Sequence, residues 1–136
     1  MRIIIDHETA FLGLQISERE QWRNYFIGID SDKKKLLYIK TYPSNYVKAI
    51  INLEDIIECR AIVEKKKSKE GNQYFENLRH TSLELTLLDS NEHIKYLEFY
   101  SADESPIENL EIPRIDKWNE AINKYVTKRK PLKKAS

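Results

Sequence analysis

The chain has 136 residues, 40% of them hydrophobic and 10% aromatic, which is too rich for a disordered polymer and enough for one domain with an ordinary core. Its 23 basic and 22 acidic residues leave a formal charge of +1. That balance excludes a global electrostatic drive towards nucleic acid or an anionic membrane and leaves only local patches to do such work.

In chain order, Ile3–Ile5 reads as an edge strand, and Phe11, Leu12, Leu14 and Ile16 as a strand or short turn of helix. Residues 1–21 are therefore expected to form an arm packing on the body, with a domain over 22–130 and a frayed basic tail over 131–136. Trp22–Asp30 alternates, with Tyr25, Ile27 and Ile29 on one face and Phe26 and Gly28 on the other. Asp30-Ser31-Asp32-Lys33 is turn chemistry, and Leu36–Tyr42 completes a hairpin. Tyr46–Leu53 follows the break at Pro43-Ser44-Asn45.

Ile56–Val63 has half-buried strand periodicity, with Ile57, Cys59, Ala61 and Val63 opposite Glu58 and Arg60. Glu64–Asn77 is polar and reads as a long loop turning at Gly71-Asn72, with Tyr74-Phe75 starting a short return strand. His80–Leu88 places Leu83, Leu85 and Leu87 inward, and Asp89-Ser90-Asn91 is a turn. Glu92–Tyr100 is the last strand. Its apolar residues change face, which calls for a bulge or two covered faces. Ser101–Glu111 is an acidic loop containing Asp103, Glu104, Glu108 and Glu111. Pro113 suits the first turn of a helix, and Ile115, Trp118, Ile122 and Tyr125 recur at helical spacing up to about Arg129.

The expected fold class is α+β and mostly β: about seven antiparallel strands in a sandwich or partly open barrel, capped by one C-terminal amphipathic helix. The runs "NLEDIIECRAIVE" and "LELTLLDSNEHIKYLEFY" and the closing "DKWNEAINKY" resemble the bacterial pleckstrin-homology-like domains over roughly residues 22–127. The resemblance implies a binding or scaffolding module. In eukaryotic relatives, basic residues around the first hairpin hold phosphoinositides. Here Lys33, Lys34, Lys35 and Lys40 match, but Tyr42 stands where the last arginine would fall, and Asp30 and Asp32 neutralise the turn. A β-sandwich of another kind, or a cystatin-like or lipocalin-like fold, satisfies the same strand count.

Catalytic chemistry finds no constellation. His7, His80 and His93 have no triad or metal-ligand spacing, although His7 stands between Asp6 and Glu8. Asp30-Ser31-Asp32 opens like a calcium loop, but lysines follow where oxygen ligands and a glycine belong. Gly13, Gly28 and Gly71 are isolated, so no phosphate loop exists. Neither cofactor nor metal is expected, and no enzymatic activity. Cys59, the single cysteine, cannot form an intramolecular disulfide and reads as a small buried hydrophobe in a reducing compartment. The sequence has neither a signal-like apolar core nor an 18-residue apolar run, so a cytoplasmic protein that does not span a membrane is expected.

The sharper candidate is the basic stretch "EKKKSKEGNQYFENLRH". Lys65, Lys66, Lys67 and Lys69 precede Tyr74, with Arg79 beyond, a mixture able to grip an anionic backbone and stack on its bases. The tail adds Lys128, Arg129, Lys130, Lys133 and Lys134. Glu64, Glu70 and Glu76 punctuate the stretch, and the chain's abundant isoleucine, lysine, asparagine and tyrosine also match AT-rich codon usage, so solvated lysines are the bland alternative. The expectation is a non-catalytic interaction module with a protein partner. The alternative is nucleic acid or anionic lipid held by residues 65–69 and the tail. Head-to-tail self-association of the basic and acidic patches is a further option.

Overall fold

A computed structural model describes residues 1–88, 93–105 and 107–126. The expected turn at Asp89-Ser90-Asn91, Pro106, the helix beyond 126 and the basic tail lie outside the described residues. The chain forms two compact units, one spanning Met1–Asp55 and the other starting at Ile56. The fold is α+β and mostly β, with seven strands among the described residues, in two open antiparallel sheets, and a C-terminal helix.

The first unit opens with a helix, α1 (Arg2–Leu12), where Ile3–Ile5 was expected to be an edge strand. The β-branched run favours a strand locally, but tertiary burial overrides it. Met1, Ile4, Ile5 and Leu12 all pack on one apolar cluster with Phe26, Leu37 and Ile39, a helical spacing that Glu8 interrupts in the sequence. Gly13 ends the helix in the left-handed region at φ 67°. Its N–H bonds Ala10 O at 3.2 Å, and that of Leu14 bonds Thr9 O at 2.9 Å, the paired bonds of a Schellman cap.

Four strands follow in the order β1 (Glu18–Trp22), β2 (Tyr25–Asp30), β3 (Lys35–Thr41) and β4 (Tyr46–Asn52), each antiparallel to the next. The stretch Trp22–Asp30 is therefore not one strand. Arg23 turns at φ 47° and pairs Trp22 with Tyr25. The polar sequence of β1 buries only Trp22, which is why no alternation marks it. Gly28 is required by a close approach: a Cβ there would lie 2.9 Å from Ile16 Cγ2 and from Phe26 Cζ.

The second unit has three strands, β5 (Ile56–Glu70), β6 (Gln73–Leu87) and β7 (Ile94–Ser101), in that order. The helix α2 (Glu111–Val126) packs on them. Ile115, Trp118, Ile122 and Val126 are buried along its inner stripe, while strand alternation in the sheet buries Cys59, Leu83, Leu85 and Leu97. Asn123 Nδ2 donates to Cys59 O at 3.1 Å, tying helix to strand. The apolar face change in β7 is not made by a bulge. The register runs unbroken from Thr86–Ile94 to Ser82–Glu98, with Ile94 and Tyr96 exposed on the outer face and Leu97 buried on the inner one. The bulge comes after it, where Phe99 is the extra residue between Glu98 and Tyr100. The residues expected to form a long polar loop, 64–77, are instead the outer halves of β5 and β6. Cross-strand pairing continues to Glu70 and Gln73 without any buried face to impose a hydrophobic period.

Candidate functional site: a basic two-stranded ribbon

Beyond Glu64 the β5–β6 hairpin continues as a ribbon of two strands. Seven residues of β5, Glu64–Glu70, span roughly 20 Å at strand rise. Every residue from 63 to 77 is exposed, and the turn is made by Gly71 at φ 63° with open space around it. The ribbon departs at a bulge, where Glu64 pairs with His80 but Lys65 pairs with Leu78, leaving Arg79 as the extra residue of β6. Leu78 is buried and anchors the base.

Strand alternation sorts the charges. Lys65, Lys67 and Lys69 share one face of β5, paired in turn with Leu78, Glu76 and Tyr74. The other face of β5 carries Lys66 and Ser68 between Glu64 and Glu70. One face of the strand is thus purely cationic, and the other holds one lysine between two carboxylates. Lys69 Nζ lies 5.4 Å from the centroid of the Tyr74 ring, and a shallow depression is lined by Lys67, Tyr74 and Glu76. Tyr74 is 71% exposed.

Of the residues singled out from sequence, Lys65, Lys67, Lys69 and Tyr74 come together on this face. Lys66 stands on the opposite one. Arg79 is apart, its guanidinium donating to Asp103 Oδ1 at 2.7 Å. The same pair draws Asp103 out of the expected acidic patch. Glu111 leaves it too, being buried and bonded to Arg114 at 2.9 Å.

At the base of the ribbon, His80 Nε2 lies 3.0 Å from Glu98 Oε2 and Nδ1 3.7 Å from Glu64 Oε1. One rung group further in, Arg60, Glu84 and Tyr96 span all three strands. Arg60 donates to Glu84 Oε1 at 2.7 Å and Tyr96 Oη to Oε2 at 2.9 Å. These bonds hold the Glu84 carboxyl below its ordinary range, Arg60 contributing more than Tyr96. The cluster was missed in the sequence because Arg60, Glu84 and Tyr96 become neighbours only through register.

The lysines of the first hairpin are engaged within their own unit. Lys33 donates to Gly13 O and Lys35 to Asn52, and Lys34 lies 3.8 Å from Glu54. Lys40 is buried, 5.4 Å from the Tyr25 ring and 5.0 Å from that of Tyr42. His7 stacks on Phe11 along α1 at 6.4 Å. Among the described residues no group of three or more His, Cys, Asp or Glu side chains converges as metal ligands would, and no helix is long and apolar enough to cross a membrane.

Comparison with protein-family models, with curated proteins and with solved structures finds no match.

Proposed function

We propose that the protein is a non-catalytic interaction module that binds a protein partner through the ribbon Glu64–Leu78, by adding a strand of that partner to the outer edge of β5. The observation that carries this reading is the open backbone edge of the ribbon. β5 is an edge strand of its sheet, and β7 pairs with β6 only from His80 inward. The ribbon residues therefore present unpaired N–H and C=O rows on exposed strands, the template on which β-augmentation operates. The antiparallel strands followed by a C-terminal helix also support a pleckstrin-homology-like reading of the fold, whose family role would be the same class of activity.

The test removes the ribbon and leaves the body. Residues 66–77 are replaced by an Asn-Gly turn joining Lys65 to Leu78, a connection suited to two-residue hairpins. Wild-type protein immobilised in native lysate retains a stoichiometric partner, and the shortened variant, with an unchanged unfolding temperature, loses it. Retention of the same partner by the shortened variant overturns the reading. Retention of nucleic acid in place of protein, with affinity falling steeply as salt rises, replaces it with the anionic-polymer alternative.

A further inference from the structure

Resting on that reading, we infer that the segment added to β5 is an acidic one, with carboxylates at alternate positions along an extended strand. The lysines provide the selection. A strand laid beside β5 places every second side chain on the face of Lys65, Lys67 and Lys69, directly across from them. Same-face lysines recur about every 7 Å, twice the strand rise, and the side chains of any added strand recur at that same interval. Charge and spacing therefore match a Glu-x-Glu-x-Glu pattern rung by rung. The opposite face of β5 adds nothing to this preference, because Lys66 stands between Glu64 and Glu70.

Lysines that merely kept an exposed edge solvated would serve on either face. Here strand alternation puts three on one side, and the pairing register sets Glu76 as the single carboxylate across from them and Tyr74 at the outer rung. Nor are these lysines taken up by the core, since the whole outer ribbon is exposed. The aromatic Tyr74 beside Lys69 gives the end of the added strand an apolar surface next to the last charge.

The experiment uses the full chain and a labelled nine-residue peptide of alternating glutamate and threonine, with binding followed by fluorescence anisotropy at low and moderate salt. The peptide with glutamine in place of glutamate binds about tenfold more weakly, as three cross-strand charge pairs require. Lys67→Glu weakens the acidic peptide by a similar factor, and Lys66→Glu, the same charge change one residue away, leaves it within about twofold.

Equal binding of the glutamine peptide overturns the acidic chemistry while strand addition stands. Equal binding of a backbone N-methylated acidic peptide overturns strand addition. Equal losses from Lys66→Glu and Lys67→Glu overturn the role of one face in favour of diffuse attraction. Tighter, face-selective binding of single-stranded oligothymidylate overturns the peptide partner in favour of nucleic acid. Failure of every peptide overturns the inference, and partner retention by the ribbon-shortened chain then decides the ribbon reading by itself.

Discussion

Lys48 donates to Glu8 at 2.8 Å across 40 residues of chain, pinning α1 to β4. Tyr46 Oη joins it on the other carboxylate oxygen at 2.5 Å. Glu8 is 2% exposed, and the bond from Lys48, followed by that from Tyr46, holds its carboxyl below the ordinary range. Glu8→Ala removes an acceptor from two donors and should cost about 1–2 kcal/mol, read from urea denaturation.

The same pair sets a pH dependence. A depressed carboxyl stabilises the fold fully above its unfolded value, near pH 4, and the contribution disappears as pH falls through the lower folded value. Glu84 and Asp30 shift in the same direction, Asp30 chiefly through the N–H groups of Gln15 and Lys33. Stability should fall below about pH 4, and Glu8→Gln should flatten part of that limb. On the alkaline side, Glu8 raises both Lys48 and Tyr46, so their contribution should fade above about pH 10. Unfolding midpoints across pH 2–11 would follow both limbs.

Trp118 is 1% exposed on the inner stripe of α2. Its replacement by alanine opens a cavity in the second unit and should cost about 3–5 kcal/mol. Calorimetry of Trp118→Ala would read this as a large fall in unfolding temperature, whereas Tyr74→Ala on the exposed ribbon should leave it within about 0.5 kcal/mol of wild type.

Gly28→Ala inserts a methyl group 2.9 Å from Ile16 and Phe26. An overpacked site of this kind should cost about 1–3 kcal/mol. Gly71→Ala meets no neighbour and carries only the cost of a left-handed residue, about 1–2 kcal/mol. Chemical denaturation of the two variants should therefore rank Gly28→Ala as the more damaging.

Burial pushes the Cys59 thiol up to about 12. The native protein should resist iodoacetamide at pH 8, and the unfolded chain should react at the rate of an ordinary thiol. Mass spectrometry of the two samples would show whether modification needs unfolding.

What the sequence determined by itself was whatever burial writes as a period. Ile57, Cys59 and Ala61 alternate because one side of the inner half of β5 faces the core, a period that Val63 continues in sequence although its side chain is exposed. Ile115, Trp118 and Ile122 step at helical spacing because one stripe of α2 does. Tertiary structure decided the rest. The α1 stripe was hidden because a carboxylate, Glu8, occupies a buried position that only Tyr46 and Lys48 make acceptable. The strand character of residues 64–77 was hidden because both ribbon faces meet water, so no hydrophobic alternation is needed. The lysines were legible as residues, but their meaning depends on register. A bulge at Arg79 sets which partners they face, and strand alternation gives Lys65, Lys67 and Lys69 one side and Lys66 the other, a division that arises only when two segments pair through their backbones.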